Sequence, residues 1–424
     1  MEKILILHNK HWNQNYQNLY SRSIFQKLIK NLSIKHIQIL QGIRRSGKST
    51  LFKLLINHLI NTIDPQEILY LNLDDPFFIR FAKQPEIFYD IIETTEKLTG
   101  KKVQYLFLDE IQAIKGWEHY VKVAYDNELF KKIFITGSNS SLLNSQYASL
   151  LTGRYISEMV YPLSFLEILN IKGIGSYFEL IEKKPLVLGI VDEMMKYGSF
   201  VEVFDCDETH KRDILSSYYD AIILKDCYEN SPIRDLATFK ALSYYLISNI
   251  TSLYSYNSLG KAINIHDKSA KEYVQYLQDA YLFSELKQFS YSMKAQQNNR
   301  KKLFVIDNGF IHLSFRFSSN SGILLENLVF TELYKLNRSV FFYNKDFECD
   351  FIVKNEDNRL DAIQVCYALN EQNEKREINA LKKIEKKLPI NNKIIVTYNQ
   401  EQKIENIQII PFWKYFGINN EIDH

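Results

Sequence analysis

The chain has 424 residues, of which 46% are hydrophobic, and its 52 basic and 50 acidic residues give a formal net charge of +2. This length suggests about two to four domains of roughly 150 residues each, and the apolar content is enough for several buried cores. The nearly balanced charge excludes a global field that attracts nucleic acid, so any such binding would have to come from a local patch.

Membrane and disulfide-rich classes are also disfavoured by the sequence. No apolar run approaches the roughly 18 to 20 residues of a membrane span, and the apolar stretch near the N-terminus is too short for a secretion signal. The four cysteines (Cys206, Cys227, Cys349 and Cys366) are far apart and form no C-x-x-C pair. We therefore expect a cytoplasmic protein with no membrane partner and with reduced, structural thiols.

A phosphate-binding motif lies between a short apolar strand, Ile34 to Leu40, and an amphipathic helix, Ser49 to Ile63. The segment GIRRSGKST matches G-x-x-x-x-G-K-[ST] in the strand-loop-helix context that the motif requires. Its two glycines allow backbone conformations closed to other residues, so that successive N–H groups face the phosphates. Lys48 is expected to reach the β- and γ-phosphates and Ser49 to ligate Mg²⁺. The expected nucleotide contacts are Gly42, Ile43, Arg44, Arg45, Ser46, Gly47, Lys48, Ser49 and Thr50.

Two carboxylates follow a second apolar run. Tyr105 to Leu108 reads as a buried parallel strand that ends in Asp109 and Glu110. Because ligands bind at the carboxyl ends of such strands, the pair is expected beside the phosphate loop. We expect Asp109 to support Mg²⁺ and Glu110 to act on the attacking water.

Further candidates follow in KKIFITGSNSSLL and LLTGRYISEM. Thr136 or Ser138 would sense the γ-phosphate or the water, although a turn and helix cap of Ser and Asn is an equal alternative. Arg154 would act as an arginine finger, in its own site or across a subunit boundary, with a surface or salt-bridge role as the alternative.

The segments GIRRSGKST, FLDEIQ, ITGS, LTGR and YPLSFLEIL, in this order and spacing, resemble the prokaryotic AAA-type ATPases that carry a conserved C-terminal domain of unknown function. The segment from LTGR to YPLSFLEIL is the most distinctive part. The resemblance implies a five-stranded parallel core with ATP as the preferred nucleotide.

The middle of the chain predicts a helix, a short turn, a second helix and an extended wing over Ser255 to Leu286. Such a second helix can enter the major groove of DNA. Its charges nearly cancel, however, because Lys268 and Lys271 are mixed with Asp267 and Glu272. An interdomain packing module and a DNA-binding module are both left open.

The last third predicts a helix and three strands over Leu324 to Leu369, then a helix and two strands. This order resembles the restriction-endonuclease-like core that the family often carries. In an active site of that kind, a Glu, an Asp and an (E/Q)-x-K pair bind a divalent metal and position the attacking water. The matching positions in this sequence are Glu326, Asp350 and Gln364, but Cys366 stands where the lysine belongs. A neutral thiol cannot supply the charge of lysine, so a degenerate binding or structural domain is favoured over a nuclease.

The predicted fold class is α/β: a P-loop NTPase with a central parallel sheet, then a helical winged-helix-like module and a small restriction-endonuclease-like domain. The predicted limits are 1–31 for an N-terminal flank, 32–170, 171–300 and 301–424. We expect a slow ATPase with ATP and Mg²⁺ that switches its own C-terminal domains. An ATP-gated nucleic-acid-binding regulator is the alternative, and an ATP-dependent nuclease is less favoured. DNA, a protein partner and oligomerisation are left open.

Overall fold

In the computed structural model, the chain is described over residues 1–140, 148–313, 320–355 and 357–417. Two compact units are present, Met1–Tyr161 with Asp279–Tyr281, and Pro162–Gln278 with Leu282–His424. Within the described ranges, no helix is both long enough and apolar enough to cross a membrane. The predicted domain limits given above stay predictions.

The first unit is built on a sheet of five parallel strands. In chain order these are β1 (Ile37–Gln41), β2 (Ile68–Asn72), β3 (Tyr105–Asp109), β4 (Lys132–Gly137) and β5 (Tyr155–Met159). Their order across the sheet is β2-β3-β4-β1-β5. The predicted five-stranded parallel core is confirmed, and the carboxyl ends of its strands lie at one edge, where α/β sheets bind ligands.

Helices cover this sheet because its strands are apolar on both faces. Two hydrophobic clusters of buried residues are formed in this unit. Successive residues of β1 belong to different clusters, Ile39 to the first and Leu40 to the second. In the second cluster the rings of Phe107 and Phe134 stack with centroids 4.2 Å apart, and Phe52 packs edge-on against Phe107. The helices of this unit are Glu2–His8, Phe25–Lys30, Lys48–Leu59, Ile87–Thr99, Trp117–Asp126 and Ala148–Leu151.

The N-terminal flank covers the open edge of β2. Asn9 Oδ1 accepts from the backbone N–H of Tyr70 at 2.7 Å, while the carbonyl of Ile68 accepts from His11 Nε2 and Trp12 Nε1, both at 3.0 Å. These side chains satisfy backbone groups that an edge strand leaves unpaired. The side chains of the flank therefore complete the hydrogen bonding of this edge strand.

The second unit begins with helices and a small antiparallel sheet. The sheet contains β6 (Leu253–Tyr254), β7 (Phe283–Lys287) and β8 (Lys301–Val305) in the order β6-β8-β7. A π-helix, Ile222–Tyr228, continues the helix Glu208–Ala221. The other helices here are Phe165–Ile171, Tyr177–Glu182, Lys184–Tyr197, Val201–Phe204, Leu236–Ser248, Tyr256–Ile263, Asp267–Asp279 and Met293–Asn298.

The predicted pair of helices is present as Tyr256–Ile263 and Asp267–Asp279. A Cβ at Gly260 would lie 2.6 Å from the carbonyl oxygen of Ile265, so glycine permits the close turn between the helices. Ala270, Val274 and Leu277 of the second helix are buried and recur at the spacing of one helix face. The assignment of this module to the winged-helix class stays a prediction.

The C-terminal part contains a mixed sheet of six strands in the order β13-β14-β12-β11-β10-β9. Its strands are β9 (Ser339–Asn344), β10 (Glu348–Lys354), β11 (Leu360–Val365), β12 (Ile390–Thr397), β13 (Gln402–Ile404) and β14 (Ile407–Pro411). β11, β12 and β14 are parallel, whereas the other neighbours are antiparallel. Its helices are Ser321–Lys335, Glu374–Glu385 and Phe412–Gly417. The predicted order of helix, three strands and helix is therefore present. The two strands predicted after it are β12 and β14, but the short strand β13 lies between them, and the end of the second predicted strand is the helix Phe412–Gly417.

Candidate functional site

The segment from Gly42 to Gly47 forms a tight loop between β1 and the helix Lys48–Leu59. Gly42 has φ 144°, and a Cβ there would lie 2.1 Å from the carbonyl oxygen of Val160. Gly47 has φ 98° and begins the helix. Both positions thus require glycine, because any other side chain would clash or strain the backbone.

The polar groups of the loop fit a bound phosphate. Lys48 is 4% exposed, and its Nζ donates to the carbonyl oxygens of Gly42 at 2.9 Å and Ile43 at 3.1 Å. Ser46 Oγ is buried and has no hydrogen-bond partner among the described residues. A helix N-terminus, an ammonium group and an uncommitted hydroxyl therefore share one glycine-lined cradle.

Asp109 ends β3 beside this cradle and is 2% exposed. Its oxygens accept hydrogen bonds from Tyr70 Oη at 2.7 Å, from Thr136 Oγ1 and from Ser49. Burial, together with the charge of Glu110, raises the pKa of Asp109 above its ordinary value, and the three hydroxyl groups oppose this. The contact between Ser49 and Asp109 brings together the two residues predicted to support Mg²⁺, and hydroxyl and carboxylate oxygens suit that ion.

Glu110 leaves β3 in a left-handed backbone conformation, with φ 53° and ψ 51°. Its backbone N–H donates to Thr136 Oγ1 at 2.9 Å, and Gln112 Nε2 donates to Glu110 Oε2 at 2.5 Å. Burial alone would raise the pKa of Glu110, but the charges of Lys48 and Arg44 and hydrogen bonds with Gln112 and Ser138 bring it below its ordinary value. The carboxylate is therefore ionised at neutral pH and can orient a water molecule.

Of the three later candidates, Thr136 and Ser138 lie in this site and Arg154 does not. Thr136 contacts Asp109 and the backbone of Glu110. Ser138 is fully buried and contacts both Glu110 and Gln112. Arg154 instead precedes β5, at the amino edge of the sheet, where its backbone oxygen accepts from Ile37 N. Its Nε donates to Asp126 Oδ1 at 2.8 Å, which lowers the pKa of Asp126 to about 2. The fold thus does not bring Arg154 to its own phosphate loop, and a role across a subunit boundary stays a prediction.

Three residues that contact the site were missed by the motif reasoning. Tyr70 lies on β2 and Gln112 follows the carboxylate pair, while Arg22 comes from the N-terminal flank. Arg22 Nη1 donates to the carbonyl oxygen of Ser46 at 2.9 Å, and its Nη2 donates to that of Tyr161 at 2.7 Å. Gln112 was visible in the FLDEIQ segment, but nothing in the sequence pattern marked Tyr70 or Arg22.

The nuclease-like positions of the C-terminal part meet around a cavity of about 800 Å³. Glu326, Asp350 and Gln364 line this cavity. Cys366 is not one of its lining residues in the part of the chain that the structure describes. The thiol of Cys366 donates to the carbonyl oxygen of Ala368 at 3.2 Å, and burial raises its pKa. Cys366 is therefore a buried structural residue.

A lysine does enter this cluster, but from another sheet. Lys302, on β8, has its Nζ 3.0 Å from Glu326 Oε1 and 2.7 Å from Glu348 Oε1. Lys345 and Lys354, the lysines nearest to Asp350 in the sequence, are exposed, and the described wall of the cavity contains neither. Sequence reasoning missed Lys302 because it lies 24 residues before Glu326 in a different structural element.

Family models match three consecutive segments of the chain. An AAA domain matches residues 35–169, and two domains of unknown function, DUF8612 and DUF4143, match residues 189–321 and 321–415. The AAA match covers the phosphate loop and both carboxylates. Together with the parallel sheet, it defines an AAA-type P-loop domain.

Relatives match nearly the whole chain. The uncharacterized protein MJ1544 of Methanocaldococcus jannaschii is 36% identical over 419 residues, which cover 93% of this chain and 90% of that protein. An uncharacterized protein of Haemophilus influenzae is 31% identical over 397 residues, which cover 91% of this chain and 95% of that protein. The chain belongs to the family of these two proteins.

Solved structures match more weakly. The Aeropyrum pernix ORC1 protein in complex with DNA has 11% identity and a TM-score of 0.33, over 72% of this chain and 94% of that one. Cdc6p from Pyrobaculum aerophilum has 12% identity and a TM-score of 0.30, over 76% of this chain and 98% of that one. At such scores the likeness says nothing about function.

Proposed function

We propose that this protein binds ATP with Mg²⁺ and hydrolyses it slowly, using the nucleotide state to change the arrangement of its C-terminal domains. The observation that carries the proposal is the contact of Ser49 with Asp109 at the end of β3, next to the Gly42 to Gly47 loop. Lys48 and the loop N–H groups would bind the phosphates, and Glu110, held by Gln112, would orient the water. Ser49 and Asp109 would hold Mg²⁺, which neutralises charge on the phosphates when bound.

Slow turnover follows from the position of Arg154. In related P-loop enzymes an arginine that reaches the phosphates accelerates hydrolysis by about 10³ to 10⁵. Here the guanidinium of Arg154 is engaged by Asp126 at the opposite edge of the sheet. We therefore expect low basal hydrolysis by the isolated chain.

The test compares nucleotide binding and hydrolysis in the parent, Lys48→Ala and Glu110→Gln proteins. Lys48→Ala is expected to weaken ATP binding by about 100-fold, because it removes a buried charge from the cradle. Glu110→Gln is expected to bind ATP as the parent does but to lower hydrolysis by about 100-fold. Glu93→Gln, an exposed carboxylate on the helix Ile87–Thr99, is the matched control. Parental turnover in Glu110→Gln would contradict the role of this carboxylate.

The switch is tested separately by hydrogen exchange of residues 162–278 and 282–417 in the Glu110→Gln protein. We expect protection there to differ between the ATP-bound and nucleotide-free states. Identical exchange, with ATP binding demonstrated in the same sample, would contradict the switch while leaving the ATPase assignment intact.

The alternative is a nucleic-acid-binding role. It is favoured by the helix pair Tyr256–Ile263 and Asp267–Asp279 and by the antiparallel strands β7 and β8 that follow it. The exposed Lys268 and Lys271 are offset by Asp267 and Glu272, so the second helix presents no basic face. Gel shifts with duplex and single-stranded DNA, with and without ATP across a salt series, test it. Binding that weakens with salt and depends on ATP would favour this alternative.

A further inference from the structure

The carboxylate cluster of the C-terminal part surrounds a single buried ammonium group. Lys302 is 3% exposed, and its Nζ lies 3.0 Å from Glu326 Oε1, 2.7 Å from Glu348 Oε1 and 3.8 Å from Asp350 Oδ1. These three carboxylates come from the helix Ser321–Lys335 and from β10, whereas the lysine comes from β8. One cation thus joins three elements that are separate in the chain.

The resemblance to restriction endonucleases implies a divalent metal between Glu326 and Asp350. The residues present do not fit one, because the ammonium group of Lys302 lies between these carboxylates. A divalent ion binds carboxylate oxygens at roughly 2.0 to 2.6 Å, so it would lie within a few ångströms of Nζ and be repelled by its charge. The ammonium group of Lys302 therefore competes with a divalent ion for the same carboxylate oxygens.

Asp350 and Gln364 also have further hydrogen-bond partners within the protein. Asp350 Oδ2 accepts from the backbone N–H of Val365 at 2.9 Å. Gln364 Oε1 accepts from the backbone N–H of Asp350 at 2.7 Å, and its Nε2 donates to Glu377 Oε2 at 2.6 Å. Gln364, predicted as a weak metal ligand, has its amide oriented by these two partners instead.

We propose that Lys302 is a built-in cation that takes the place of a divalent metal in this cluster, closes it to Mg²⁺ and Mn²⁺, and fastens β8 to β10 and to the helix Ser321–Lys335. The lysine that the nuclease pattern lacks at Cys366 is thus present in space, but it faces all three carboxylates as their counter-ion. Carboxylates this close together repel one another, so the cluster needs a compensating positive charge, and the chain supplies that charge itself.

The proposal predicts that removing the ammonium group creates a metal site. The experiment measures Mn²⁺ binding by electron paramagnetic resonance, without nucleotide, in the parent, Lys302→Ala and Lys302→Met proteins. Parent protein is expected to bind no Mn²⁺ that depends on Asp350. The Lys302 variants are expected to gain one Mn²⁺ per chain, at least tenfold tighter than the parent, and to lose it again when Asp350→Asn is added.

Lys301→Ala is the matched control, because its Nζ is 3.0 Å from Glu285 Oε2 and 2.9 Å from Tyr256 Oη, outside the cluster. It should leave Mn²⁺ binding as in the parent. A Lys302 variant that folds only when Mn²⁺ is present would support the proposal. Mn²⁺ binding by the parent that disappears in Asp350→Asn would overturn it, and this result needs no Lys302 variant to fold. Folded Lys302 variants that gain no Mn²⁺ would overturn it equally.

Discussion

The hydroxyl group of Tyr70 donates a hydrogen bond to Asp109 Oδ2 at 2.7 Å and so joins two neighbouring parallel strands near their carboxyl ends. Burial and the charge of Asp109 raise the pKa of Tyr70, so the phenol stays protonated and remains a donor. The carboxylate proposed to support Mg²⁺ is therefore oriented by a residue of the adjacent strand, together with Thr136 and Ser49.

Replacing Tyr70 by phenylalanine should weaken Mg²⁺-dependent ATP binding by about tenfold, because a hydrogen bond to a charged group contributes roughly 1.5 kcal/mol. ATP binding without Mg²⁺ should change much less. Titration with a fluorescent ATP analogue, with Mg²⁺ or with EDTA, measures both. Tyr105→Phe, on the partly exposed start of β3, is the control. Equal losses under both conditions would show that Tyr70 acts on the nucleotide in another way.

Gln112→Ala should lower ATP hydrolysis about tenfold and leave ATP affinity unchanged, because Gln112 donates to the Glu110 carboxylate and so orients the group proposed to act on the water. The decisive measurement is the double variant with Glu110→Gln. If Gln112 acts through Glu110, the second substitution adds little further loss. Losses that multiply would show that Gln112 acts independently.

Arg22→Ala should weaken ATP binding by about tenfold or more, because Arg22 holds the Ser46 carbonyl oxygen of the phosphate loop and the Tyr161 carbonyl oxygen beyond β5. Arg22→Lys should restore only part of the affinity, since an ammonium group cannot reproduce the paired guanidinium contacts. Arg80→Ala is the control, because Arg80 lies over the Phe77 and Phe81 rings in the same unit. Full ATP affinity in a folded Arg22→Ala protein would contradict this positioning role.

His11 should make the first unit less stable in mild acid. Burial lowers the pKa of His11 from 6.5 to about 4. Because the folded-state pKa is depressed, the first unit has its full free energy of unfolding above pH 6.5. That free energy falls as the pH falls towards 4, because the unfolded chain takes up the proton first. At pH 5 the expected loss is about 2 kcal/mol.

Hydrogen exchange of the β2 amides between pH 7.5 and pH 5 measures this effect, because His11 Nε2 donates to Ile68 O at the start of β2. His11→Gln keeps a donor but does not titrate in this range. The parent should lose local stability relative to His11→Gln as the pH falls. Parallel behaviour of the two proteins would show that His11 does not carry the effect.

Much of the first unit was predictable because its signals are local. The strand, glycine loop and helix from Ile37 to Leu59 are consecutive in the chain, and the hydrophobic pattern that specifies them is contained in them. The same holds for Asp109 and Glu110, whose position follows from ending a buried strand. The helix pair of the middle part and the helix, three strands and helix of the C-terminal part were also placed in the correct order, since apolar periodicity marks each of them separately.

The sequence by itself determined the phosphate loop, the carboxylate pair and the order of helices and strands, because short-range backbone sterics and apolar periodicity specify them. Only the tertiary structure decided which distant side chains meet. It brought Arg22 and Tyr70 to the phosphate site, kept Arg154 with Asp126 at the other edge of the sheet, and set Lys302 among the carboxylates that Cys366 does not reach. Such meetings depend on strand order and on the need to pair buried charges, which no linear spacing in one chain records.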